Sequence, residues 1–92
     1  MDIRFHIDPE TDQPHIYEHG VTEEEVQEVL RRWGDDFRGR KGSRVRFGQT
    51  LAGRYLKVVY RRHSDRVFVI TAYDLRENEK RAFRRRQRRK RT

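Results

Sequence analysis

Three strand-like runs, residues 44–50, 54–62 and 66–73, follow one another with only Leu51-Ala52-Gly53 and His63-Ser64-Asp65 between them. Connections this short, built from Gly, Ser and Asp, join strands as hairpins, so the spacing predicts an antiparallel meander. Each run also has to respect a side-chain period of two. In the first, Val45 and Phe47 alternate with Arg44 and Arg46; in the second, Leu56, Val58 and Tyr60 alternate with Tyr55, Lys57, Val59 and Arg61. This pattern predicts one apolar face and one face carrying a cationic cluster of Arg44, Arg46, Lys57 and Arg61. The third run, Val67-Phe68-Val69-Ile70-Thr71-Ala72, is apolar on both faces, as a central strand would be.

The remaining elements are arranged around this meander. Ile3, Phe5 and Ile7 alternate with Arg4 and His6 and predict a strand, which Asp8-Pro9 ends. Pro14 and Gly20 bracket a short helix containing His15 and His19, with His19 as a cap at its end. A second helix is marked by Thr22 as N-cap, Glu25 completing a capping box and Val21 stapling onto Val26; its expected apolar stripe is Val26, Val29, Leu30 and Trp33, with Gly34 as the stop. Residues 35–42 read as a loop. Asp74 and Glu77 open a last helix whose apolar residues are only Leu75, Ala82 and Phe83. Beyond Phe83 the run Arg84-Arg85-Arg86-Gln87-Arg88-Arg89-Lys90-Arg91 repels itself, so a frayed tail over 84–92 is expected until an anionic partner orders it. The fold expected is α+β over residues 1–83: an N-terminal strand, two helices, a meander completing a four-stranded sheet, and a basic C-terminal helix.

Leu, Ile, Val and Phe supply 21 of the 92 residues, just above the ~20% below which a highly charged chain stays disordered. Cysteine is absent, so no disulfide can staple so thin a core, which fits a reducing compartment or a stabilising partner. No apolar stretch approaches a membrane span, Met1-Asp2-Ile3-Arg4 lacks the plan of a signal peptide, and a cytoplasmic location is expected.

The charge is unevenly spread. The chain carries net +8, yet residues 1–30 hold nine acids against one base, while 31–75 and 76–92 are each net +8. Such a field attracts polyanions to one side, and phosphate backbones are the leading candidates. Arginine outnumbers lysine 19 to four, and its planar fork grips phosphate bidentately and stacks on bases. No nucleophile elbow, phosphate-loop glycine pattern or cysteine site occurs. His15 and His19 would share one face of their helix, but the spacing offers no third ligand, so neither a metal nor another cofactor is expected.

Four stretches taken in order carry a resemblance: EHGVTEEEVQEVL over 18–30, GQTLAGRYLKVVY over 48–60, DRVFVITAYDL over 65–75 and NEKRAF over 78–83. Together they resemble the BrnT-type toxins of type II toxin–antitoxin systems, within the RelE-like ribonuclease superfamily. The resemblance implies a metal-independent endoribonuclease acting on messenger or single-stranded RNA. Its partner would be a co-encoded antitoxin, usually a ribbon-helix-helix protein, with operator DNA met only through the complex. Where the family commonly carries an Arg after the last strand's Ile-Thr-Ala, this chain has Tyr73.

Metal-free RNA cleavage needs a base for the 2′-hydroxyl, cations for the charged phosphorane and an acid for the 5′-oxygen. Lys57, Arg46, Arg61 and Tyr73 are the expected catalytic set. Arg44, Arg54, Tyr55, Arg81, Arg84, Arg85 and Arg88 are the expected RNA contacts. The competing expectation is a non-catalytic RNA- or DNA-binding module on the same fold.

Overall fold

The computed structural model describes residues 1–91 of the 92. Its elements, in chain order, are β1 (Asp2–Phe5), β2 (Ile7–Asp8), β3 (Gln13–Pro14), a 3-10 turn (His15–His19), α1 (Glu23–Arg31), β4 (Asp35–Arg38), a second 3-10 turn (Arg40–Gly42), β5 (Arg44–Gln49), β6 (Tyr55–His63), β7 (Arg66–Asp74) and α2 (Glu77–Arg91). Strands β1, β7, β6, β5 and β4 form one sheet in that order, and β2 and β3 form a small separate hairpin. The predicted meander is present as β5, β6 and β7, each pair antiparallel. β1 runs parallel to β7, Ile3 beside Val67 and Phe5 beside Val69. The class is therefore α+β with a mixed sheet.

The sheet has five strands rather than four, because residues expected as a loop form β4. Its alternation is hard to read in Asp35-Asp36-Phe37-Arg38, where polar residues fill both sets of positions. The pairing is secured by side chains: Phe37 packs edge-on against Phe47 with ring centroids 5.1 Å apart, and Asp36 accepts from Arg44 Nε at 2.8 Å.

Cross-strand partners fix which residues share a face. Arg46 lies opposite Val58 and Arg44 opposite Tyr60, whereas Phe47 lies opposite Lys57 and Val45 opposite Val59. Leu56, Val58, Tyr60, Val67, Val69 and Ala72 face α1 and the first 3-10 turn, forming a core with Ile16, Val21, Val26 and Val29. A smaller core on the other face joins Phe47 to Leu75 and to Phe83 of α2. Arg44 and Arg46 thus project on the α1 side and Lys57 and Arg61 on the α2 side. The expected common cationic face does not form, because the β5–β6 register places the arginines of one strand beside the apolar residues of the next.

Local signals on α1 act as expected. The Thr22 hydroxyl accepts from the Glu25 backbone N–H at 3.2 Å while the Glu25 carboxylate accepts from the Thr22 N–H at 3.0 Å. The helix stops at Arg31, too early for the predicted stripe to reach Trp33, which instead stacks on Phe83 at 5.5 Å. At Gly48 α1 lies close against the sheet: a Cβ there would meet Val29 Cγ1 at 2.7 Å.

α2 also departs from expectation, continuing through Arg84–Arg91 rather than fraying at Phe83. Its second half is tied to the sheet by polar contacts. Arg86 pairs with Asp35 and lies over the Phe37 ring, and Gln87 donates to Gln49 at 3.1 Å. Thr92 lies outside the described residues.

Candidate nucleic-acid interface and active site

Arg44 and Arg54, expected as RNA contacts, and Arg46, expected in the catalytic set, are committed to the protein itself. Arg46 donates to the Val29 carbonyl at 3.3 Å and to the Arg32 carbonyl, supplying a cation and donors where the end of α1 leaves carbonyls unpaired. It also shares Asp36 with Arg44. The Tyr60 hydroxyl donates to the same carboxylate, and burial, followed by that hydrogen bond, pushes the Tyr60 phenol up.

Arg54 is the most heavily engaged base. Its Nε and Nη2 reach the two oxygens of Asp74 at 2.8 and 3.2 Å, while Nη1 donates to Glu25 at 3.0 Å and to the Gly20 carbonyl at 2.8 Å. The hydrogen bond to Asp74 raises the Arg54 guanidinium above its ordinary value, and the same contact holds the Asp74 carboxyl below its own. One side chain therefore ties the end of β7 to the start of α1.

Three of the four predicted catalytic residues do share a face. Lys57 and Tyr73 are direct partners across β6 and β7, and Arg61 lies further along β6 on the same side. The Lys57 ammonium sits 5.3 Å above the Tyr73 ring and 5.5 Å above the Phe47 ring, and pairs with Glu79 of α2 at 2.6 Å. Burial pushes the Glu79 carboxyl up, but the bonds from Lys57 and Arg76 outweigh it, so the net shift is downward. Arg61 donates to the Lys41 carbonyl. Arg46 stands apart on the opposite face.

The structure adds histidines to which the sequence assigns other roles. Past β1 the chain follows the edge of β7, beginning with the His6 N–H bonded to the Val69 carbonyl at 2.8 Å. This brings a row of rings into contact: Phe68 to His6 at 6.3 Å, His6 to His15 at 6.0 Å, His15 to His19 at 5.4 Å, and His19 to Tyr73 at 5.4 Å. Lys57 and Glu79 extend the row. His19 stands in the last turn of the 3-10 element, and Gly20, in the left-handed region at φ 66°, closes that turn with its own N–H, as the bracketing predicted. The available signal was the presence of three histidines within 14 residues, with Asp8-Pro9 between them to turn the chain back. On this sheet face Thr71 Oγ1 is, among the described residues, the one buried side-chain oxygen or nitrogen without a hydrogen-bond partner.

The outer side of α2 carries the other candidate surface. Arg81, Arg84, Arg85 and Arg88 recur at helical spacing, are all exposed, and with Asn78 line an open groove of about 580 Å³. Among the described residues these four have no carboxylate within ion-pair distance. Tyr55, expected as an RNA contact, packs edge-on against Phe83 at 6.0 Å, with Lys80 above it at 5.2 Å. No helix among the described residues is long and apolar enough to cross a membrane.

No protein-family model matches the chain, no curated protein matches it in sequence, and no solved structure matches it in fold.

Proposed function

We propose that this protein is an RNA-directed toxin of the BrnT type in the RelE-like superfamily, an endoribonuclease that acts on messenger or single-stranded RNA and is neutralised by an antitoxin. The observation that carries this reading is the chain of contacts that links His19 of the first 3-10 turn to Tyr73 and, through its ring, to Lys57 on the α2 side of the sheet. Cleavage through the 2′-hydroxyl needs a proton acceptor, a proton donor and a cation within one nucleotide's reach. Imidazole takes and releases protons in the neutral range, a tyrosine hydroxyl can donate to a leaving oxygen, and an ammonium group can stabilise charge on phosphorus. In this reading His19 and Tyr73 exchange the protons and Lys57 serves as the cation. Tyr73 occupies the place where the family commonly has Arg, so the acid replaces a phosphate contact there. Arg81, Arg84, Arg85 and Arg88 hold the rest of the strand.

A second reading is supported by the Lys57–Glu79 pair, which offsets the cation beside Tyr73: a module that binds RNA through α2 and cleaves nothing. End-labelled RNA with an unstructured segment distinguishes the two. The toxin reading expects products ending in 2′,3′-cyclic phosphate that His19→Ala and Tyr73→Phe abolish while RNA binding persists. RNA that is retained but intact, with and without ribosomes, would favour the binding module.

A further inference from the structure

The end of the histidine row away from Lys57 holds a second constellation, independent of the RNA-cleaving groups. His15 Nδ1 lies 3.1 and 3.0 Å from the two oxygens of Asp8 and 3.8 Å from Glu18 Oε2. His6 Nε2 reaches the same Asp8 carboxylate at 3.7 Å. The ligand atoms of Asp8, His15 and Glu18 all fall within 4.8 Å of one another. We propose that Asp8, His15 and Glu18, with His6 turning in beside Asp8 to supply the fourth ligand, form a binding site for a borderline divalent transition metal, with zinc the expected ion.

Geometry and chemistry both favour that ion. Four ligands at the ordinary zinc distances of about 2.0–2.2 Å stand about 3.3–3.6 Å apart at the corners of a tetrahedron. The His15–Asp8, His15–Glu18 and His6–Asp8 separations of 3.0–3.8 Å lie around this range, and Asp8, His15 and Glu18 stay within 4.8 Å of one another, so side-chain rotation would close the set on an ion. Two imidazoles with two carboxylates suit zinc, cobalt or nickel, whereas magnesium and calcium prefer an all-oxygen shell. Asp8 and Glu18 also line a cavity of about 200 Å³ with Pro9 and Glu10, which gives an ion a route in.

The backbone holds these groups in place. His15 and Glu18 are three residues apart in a 3-10 turn, where side chains at that spacing eclipse. The β2–β3 hairpin pairs Asp8 with Gln13, and the His15 N–H bonds to the His6 carbonyl at 2.9 Å. Both histidines are thereby fixed on the same side as the acids, and the side chain of Asp8 is only 16% exposed. A metal here would fasten the hairpin to the 3-10 turn in a chain that has no cysteine for the purpose.

Zinc chloride titrated calorimetrically into the full chain tests the site, alongside Glu18→Gln, His15→Gln and, as a control, His63→Gln. The expected result is one equivalent bound more tightly than about 10 μM, a thermal midpoint that rises with zinc, and an affinity at least about tenfold weaker in the Glu18 and His15 variants only. Glu18→Gln is the decisive variant if His15→Gln does not fold, because Glu18 is exposed and its substitution spares the core. Absence of binding, or binding unchanged by Glu18→Gln, overturns the proposal. RNA affinity is a separate readout and is expected to stay constant across the variants.

Discussion

Lys57 and Glu79 meet at 2.6 Å between β6 and α2, with each side chain only 13% exposed. Breaking a pair this enclosed is destabilising, because removing either partner strands the other's charge away from water. Lys57→Met and Glu79→Gln are each expected to lower stability by roughly 1–3 kcal/mol. The double variant should recover much of that loss, giving a coupling that a double-mutant cycle in urea would measure. Strictly additive losses would mean that the two side chains do not stabilise each other.

Glu79 and Asp74 predict the direction of pH dependence. Both carboxyls titrate lower in the folded chain than their ordinary values of 4.5 and 3.8. A depressed folded value contributes stability that is complete above the unfolded value and disappears as pH falls through the folded one. The urea midpoint should therefore hold from neutrality down to about pH 5 and drop below it. In Glu79→Gln the drop should be shallower, whereas a midpoint independent of pH down to the acid limit would contradict the assignment.

Arg54, whose sequence context suggests an RNA contact, instead joins Asp74, Glu25 and the Gly20 carbonyl. Arg54→Ala should cost about 2 kcal/mol of stability, and Arg54→Lys should recover little of it, since an ammonium cannot span both oxygens of Asp74 and reach Glu25 as well. Filter binding at fixed salt should show RNA affinity unchanged in both variants. A drop in affinity larger than the drop in folded fraction would return Arg54 to the RNA surface.

The arginines on the outer side of α2 should behave in the opposite way. Replacing Arg81, Arg84, Arg85 and Arg88 by Gln removes like charges three and four residues apart, so thermal stability should stay level or rise. RNA affinity should fall, and the slope of log affinity against log salt should flatten by about 0.7 for each single-strand phosphate that is no longer neutralised. An unchanged slope would place the RNA elsewhere.

Packing at Gly48 gives a prediction free of electrostatics. Gly48→Ala would push a methyl into Val29 at the α1–β5 interface, with an expected cost of about 1–3 kcal/mol. The additional substitution Val29→Ala should relieve part of it, as thermal melts would show.

How much could be read in advance followed from how local the signal was. The capping box at Thr22 and Glu25 and the three meander strands depend on neighbours in sequence, and they are present within a residue or two of their expected limits. Which face Arg44 and Arg46 take depends on the register between β5 and β6, and alternation within a strand carries no information about register against its neighbour. β4 was hidden because Asp36 is held in the sheet through Arg44, Arg46 and Tyr60, none of them adjacent in sequence. The histidine row was hidden for the same reason, since a hairpin and the edge of β7 assemble it.

The parallel seam between β1 and β7 has a kinetic consequence. Asp2 pairs with Arg66 and Phe5 with Val69, so β1 cannot dock until almost the whole intervening chain has been closed into a loop, whereas the meander can zip from its turns. During that interval Val67 and Val69 sit beside an unpaired backbone edge, the kind of template on which a second copy can add a strand. Mutual repulsion between molecules that each carry +8 then acts as a brake on self-association while the first strand finds its slot.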